Sequence, residues 1–399
     1  MADLLDCAVM PYAWGSRSAI AELQGRPAPS SGPEAELWMG AHPRGPSRLV
    51  RGGVMTSLAD LIARDRAHEL GEAVAAVFGS RMPFLLKVLA AGEPLSLQAH
   101  PGAEQARLGF DEEERLGIPL DAPHRNYKDP YHKPELLCAL TPFDALCGFR
   151  RVSDTLALFD ALGVTEVDAT LAPLRWSDTE AGLSAALHSI MTKPQPASSE
   201  MVSAVVAACA AYEGPLASEC RWAVRLNRLY PGDPGIVTAL LLNLVHLEPG
   251  QAIYLGAGSL HAYLGGVGVE IMASSDNVLR GGLTPKHVDI DELLRVLEFA
   301  DGPVVPVRPW RLDEDEEVWD APAREFRLSC IHVRARPVRR DVSGPEILLC
   351  VDGAVRVDGA DRSGAVPLAR GAAAFIPGSS TCYELDGAGT VFRATVGAL

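Results

Sequence analysis

The sequence predicts a mainly β protein, two barrels of short strands with a block of helices inserted into the first. Three observations lead there. Short apolar runs cut by Gly- and Pro-bearing turns, such as GPSRLV, PFLLKVLA and ELLCAL, occupy the first 150 residues; this is strand texture. From Arg151 to about Tyr230 the period lengthens: VSDTLALFDALG, LSAALHSIM, MVSAVVAACAAY and ECRWAVRLNRLY each build one helical stripe. Finally, one phrase occurs twice. EPGQAIYLGAGSLHAYL carries Gly250, then Gly256 six positions on and His261 eleven on, and ARGAAAFIPGSSTCYEL carries Gly371, Pro377 and Cys382 at the same offsets. A strand–turn–strand phrase repeated at that separation implies two related barrels.

In chain order, the first strands are interrupted by a helix over AEQARLGFDEEERLG. VSDTLALFDALG is capped by Ser153 or Asp154 and stopped by Gly163. YPGDPG ends the helical block and strands resume. TPKHVDIDEL reads as a helix start, with Thr284 as cap and Pro285 in the first turn. From about Pro303 onward the chain is strands and turns again. At 399 residues it exceeds one ordinary core. The expected division is a discontinuous catalytic barrel from 1–150 and 231–310, a helical insertion over 151–230, and a second barrel over 311–399.

Composition narrows the function. Net charge is −15, from 36 basic against 51 acidic side chains, which argues against nucleic acid and anionic membranes as partners. A small anionic substrate fits, because a few Lys and Arg in a cleft dominate locally. The apolar run Ile236–Leu247 is short of the ~20 residues of a membrane span. MADLLDCAVM has no basic start before an apolar stretch, so no signal peptide is expected. Eight scattered cysteines without a C-x-x-C point to free thiols in a reducing cytoplasm.

Four residues stand out as possible ligands. In SLQAHPG, Gln98 and His100 lie two apart and share one face of an extended segment. Glu135 opens a strand after the turn DPYHKP, and His261 opens another. A lone His in an apolar strand is usually a satisfied core residue, but company changes that balance. Two imidazoles, an amide oxygen and one carboxylate make a four-coordinate set suited to Zn²⁺.

The Gly250–His261 phrase resembles the second motif of the cupin barrel. The stretches YAWG (12–15), AELWMGAHP (35–43), PFLLKVL (83–89), LQAHP (97–101), YKDPYHKPEL (127–136), HAYL (261–264) and ASSDNVLRGGLTPKHVD (273–289) strongly resemble type I phosphomannose isomerase. They run in order over residues 1–290; the C-terminal third agrees in texture only. Tyr131, Gly102 and Gly256 depart from that pattern in loop positions. The resemblance implies one zinc ion on Gln98, His100, Glu135 and His261, and a catalytic arginine at Arg280. It also implies active-site lysines at Lys133 and Lys286. Ser96 and Trp14 are further candidates for substrate contact, with core packing the other reading of Trp14. The implied partner is a sugar phosphate acted on by a cytoplasmic monomer, and the second barrel, with Cys382 in place of the ligand His, is expected to be metal-free.

Aldose–ketose isomerisation moves a proton between C2 and C1 through a cis-enediol(ate). It needs positive charge beside two oxygens and one group that carries the proton. Arg280 suits the first task; the two glycines after it are expected to let the backbone approach a ligand closely. Lys133, Glu270 and Asp276 are candidates for the second. The amides of the Thr284 helix end, with Lys286, would suit a phosphate. Two rival readings are a cupin oxygenase using Fe²⁺, disfavoured by Gln98, and a non-catalytic sugar-phosphate sensor, disfavoured by intact Lys133 and Arg280.

Overall fold

The computed structural model describes residues 2–334, 336–359 and 364–398. Two large antiparallel sheets dominate it, one of ten strands and one of nine, with a two-stranded ribbon over 48–57. The mainly β expectation holds and so does the helical insertion, with helices at Val152–Leu162, Thr179–Thr192, Ala197–Ala211 and Ala217–Leu229. Their apolar faces (Leu158, Leu187, Val205, Leu226) close one core with Leu146, Leu242 and Leu264 of the ten-stranded sheet. No helix among the described residues is long and apolar enough to cross a membrane.

Neither sheet closes into a complete barrel. In the ten-stranded sheet the long strand His261–Ala273 explains why. Its first residues pair with Phe143–Phe149, its last with Phe84–Ala91 and Glu135–Ala139, and the register slips between Tyr263 and Gly265. Gly266 sits at that bend with φ +125°, where a Cβ would meet the Phe143 ring at 2.6 Å. The bent strand therefore serves two layers, giving an open jelly roll.

The repeated phrase is a repeated structure. Gly250 (φ +86°) and Gly371 (φ +81°) both turn left-handed, each just before a four-residue strand, Ala252–Leu255 and Ala373–Ile376. Long strands then begin at His261 and Cys382. The short strands even pair alike: Leu255 faces Glu135 and Ile376 faces Glu346. The strand Asp3–Leu5 pairs with Ala373–Ile376 and so lies in the nine-stranded sheet.

Two helix caps differ from the local reading. The Val152 helix begins before Ser153, and its first N–H donates to Asp301 Oδ2 at 2.7 Å. That cap comes from far along the chain, so the neighbouring sequence does not reveal it. Thr284 caps no helix: its Oγ1 accepts from the Lys286 N–H at 3.1 Å in a tight turn, and the helix starts at Ile290 with Asp289 as cap.

Candidate active site

The site is assembled by a ribbon of three strands. The two-residue strand Gln98–Ala99 lies between the start of His261–Ala273 and Leu279–Arg280, so Gln98 is directly opposite both His261 and Arg280. Cross-strand partners project to the same side. One short strand therefore lines up an amide, an imidazole and a guanidinium. Glu135 arrives on its own strand, paired with Met272 of the long one.

His100 and His261 are fully buried and Glu135 nearly so. His100 Nδ1–H donates to the Asn277 carbonyl at 2.7 Å, and His261 Nδ1–H donates to the Ser259 carbonyl at 2.9 Å. Both Nε2 lone pairs are thereby turned inward. They lie 3.4 and 3.6 Å from Glu135 Oε2, and none of these three atoms has a hydrogen-bond partner among the described residues. Burial lowers the pKa of both imidazoles, His261 to about 4. Burial opposes ionisation of Glu135, but Lys133 and then His100 outweigh it and hold the carboxyl well below its usual range. Three converging, unpartnered buried donors are what a cation would satisfy, and two neutral imidazoles with a carboxylate suit zinc.

Glu135 opens onto a cleft of about 420 Å³ that also carries Trp14, Ser96, Gln98, Lys133, Glu270, Arg280 and Lys286. A larger hollow of about 660 Å³ at the end of the nine-stranded sheet, lined by residues such as Trp310 and Arg327, contains none of them. Lys133 Nζ lies 2.9 Å from Glu135 Oε1. Arg280 and Lys286 form no ion pair among the described residues, and burial lowers the pKa of each. The glycines after Arg280 do not open a path for a ligand. A Cβ on Gly282 would lie 2.8 Å from Gly235 Cα, so the glycine serves close packing against a neighbouring turn.

Asp276 is close to the cleft but turned to His42 (3.3 Å) and Arg44 (3.1 Å). Burial opposes its charge, yet the His42 hydrogen bond and the nearby Arg44 draw its pKa down to about 2. Glu270 shows the reverse. Burial raises its pKa although Lys87 donates to Oε2 at 2.9 Å, while the Tyr263 hydroxyl donates to Oε1 at 2.9 Å.

Sequence reasoning missed two residues. Lys87 is buried between Glu270 and Glu36, with Glu36 in turn accepting from Trp38 Nε1 at 2.6 Å. The available signal was a lone lysine inside the apolar strand PFLLKVLA. Asn277 is fully buried. Its Oδ1 accepts the Lys128 N–H at 2.7 Å, and its Nδ2 donates to the carbonyls of Asp129 and Tyr131 at 2.7 and 2.8 Å. It pins the loop leading to Lys133 and Glu135 while its own carbonyl orients His100.

Fold and site together define a cupin-type jelly roll with a buried His–Glu–His metal-binding group under a cationic cleft. The profile described as phosphomannose isomerase type I, catalytic domain, matches residues 3–152. The mannose-6-phosphate isomerase of Escherichia coli (strain K12) is 39% identical, covering 96% of this chain and 97% of that protein. That of Homo sapiens is 34% identical, covering 93% and 92%. A crystal structure of a mutant phosphomannose isomerase from Salmonella typhimurium superposes with a TM-score of 0.92 at 36% identity, covering 100% of both chains. A zinc-bound mannose 6-phosphate isomerase structure gives 0.91 at 36%, again covering both chains fully. The chain belongs to the type I phosphomannose isomerase family.

Proposed function

We propose that the protein interconverts mannose 6-phosphate and fructose 6-phosphate with one zinc ion bound. The observation that carries this reading is the convergence of three unpartnered buried donor atoms beside a cleft whose Arg280 and Lys286 have no carboxylate partner among the described residues. Gln98, His100, Glu135 and His261 would hold zinc, which supplies a Lewis acid for a sugar oxygen.

The remaining tasks fall to side chains. Arg280 stabilises charge on the enediolate oxygens, because its planar guanidinium can span two of them. Lys286 and Ser96 take the phosphate, and Trp14 forms the wall of the cleft. We assign the carbon-bound proton, carried from C2 to C1, to Glu270, the cleft carboxyl whose pKa burial raises. Asp276, held ionised, is instead a positioning partner for His42 and Arg44. Lys133 neutralises and orients Glu135. In this reading residues 1–150 and 231–310 form the catalytic unit, 151–230 a helical cover and 311–399 a metal-free support, apart from the Asp3–Leu5 strand given to that support. The protein works as a monomer in the cytoplasm, and its eight cysteines stay reduced.

A coupled assay following fructose 6-phosphate formed from mannose 6-phosphate, alongside zinc analysis of the purified protein, tests the proposal. Turnover with about one zinc per chain is expected. Binding without turnover would make the protein a sensor, and full activity without metal would remove the site as assigned.

A further inference from the structure

Beside the catalytic cleft lies a second hollow of about 490 Å³. The two share seven residues, among them Glu36, Arg44, Lys87, Lys133 and Val278, and Arg280 lines both. Lys286 belongs to the cleft alone, whereas Lys128 and Arg125 belong to the second hollow alone. These cations are not equally free. Arg125 is fully engaged, by Glu113, Glu114 and the Tyr127 carbonyl, and Arg44 is tied to Asp276 and the Tyr12 hydroxyl. Among the described residues, Lys128 bonds no carboxylate. Its ammonium donates to the carbonyls of Leu120 at 2.7 Å and Ala122 at 3.4 Å, which leaves one of its three donors unused.

The chain as a whole carries a net charge of −15. Cations without carboxylate partners, kept together at a concave surface of such a protein, are a costly arrangement unless an anion visits. The substrate of the proposed reaction has one phosphate, and the Lys286 side of Arg280 accounts for it. The Lys128 side is left over.

We infer that the second hollow is an anion subsite, built on Lys128 and Arg280, which takes the second phosphate of a hexose bisphosphate bound across the two chambers. The inference rests on the sugar-phosphate reading of the cleft. A bisphosphate of the right length is then a competitive ligand that spans both chambers, and Lys128 discriminates it from a monophosphate.

The test uses the zinc-loaded full chain and two unreactive hexitols, sorbitol 6-phosphate and sorbitol 1,6-bisphosphate, in calorimetric titrations at fixed salt. The bisphosphate should bind roughly tenfold tighter, as expected for one added charge-assisted contact. Lys128→Gln should abolish that advantage and leave sorbitol 6-phosphate binding and the KM for mannose 6-phosphate unchanged. Lys128→Arg, which keeps the charge and the carbonyl contacts, should retain it. Equal affinities in the unmodified protein would overturn the inference. So would a Lys128→Gln variant that weakens both hexitols alike, since Lys128 would then serve the substrate's own phosphate. If mannose 6-phosphate were not turned over at all, the proposed function would fail while the titrations still read the subsite.

Discussion

Glu135 in the ten-stranded sheet and Glu346 in the nine-stranded sheet occupy the same register position, each opposite the last residue of the short strand of the repeated phrase. Both are buried. Their surroundings are opposite solutions to one problem. Glu346 accepts from Arg393 Nε at 2.8 Å and Nη2 at 2.6 Å, and from the Tyr383 hydroxyl at 3.0 Å. Its positive partner is covalently part of the neighbouring strand. Glu135 has Lys133 on one oxygen, while the other faces two neutral imidazoles and nothing that donates. A buried carboxylate needs compensation. One sheet makes it permanent and gains a fixed support; the other leaves it exchangeable and gains a place for a reactive cation.

The sharpest way to break that contrast is to disable the exchangeable side. His261→Ala, or stripping with a chelator, should remove zinc and lower kcat by roughly 10³-fold or more. Added zinc should restore the stripped protein but not the variant. Metal analysis and the coupled assay check both, and substantial activity in metal-free protein would end the comparison.

The permanent side should respond in stability instead. Glu346→Ala leaves Arg393 with the Glu316 carboxylate at 3.3 Å and the Asp341 carbonyl at 3.2 Å and should cost about 3–5 kcal/mol, read as an earlier urea midpoint with normal zinc content. Arg280→Ala asks whether charge stabilisation is separate from metal retention. It should cost roughly 10²–10³ in kcat with little change in KM, while zinc content stays full and Arg280→Lys recovers only part. A steep KM rise at constant kcat would make Arg280 a phosphate anchor. Asn277→Ala tests positioning: zinc affinity, measured by competition with a chromogenic chelator, should weaken about 10–100-fold. Smallest of all, Cys382→Ala combined with His332→Ala should leave zinc content and kcat near wild type. Loss of a second metal equivalent there would mean that the second sheet also holds an exchangeable cation.

The sequence exposed whatever is written locally. Strands such as PFLLKVLA, the helical period of 151–230 and the offsets from Gly250 to His261 survive intact in the structure. What it concealed is non-local. Asp301 caps a helix at Val152 from 149 positions away, and Thr284, a good cap by its neighbours, makes a turn because the helix does not begin until Ile290. Lys87 looked like one charge in an apolar strand; its meaning depends on Glu36 and Glu270, from two other strands. The inward aim of the His100 ring is set by a backbone carbonyl at Asn277, a feature that no residue type encodes.

The pairing of Asp3–Leu5 with Ala373–Ile376 has a consequence for biosynthesis. Residues 3–5 emerge from the ribosome early, and their partner strand is made some 370 residues later. At about 5–20 residues per second, this segment waits on the order of tens of seconds before its backbone groups are paired. Until then the nine-stranded sheet has no outer strand beside Ala373–Ile376, and the early segment is an unpaired ribbon open to the wrong neighbour. The interval in which this segment is exposed to chaperones, or to aggregation, therefore closes only once Ala373–Ile376 has been made, after every residue that lines the cleft.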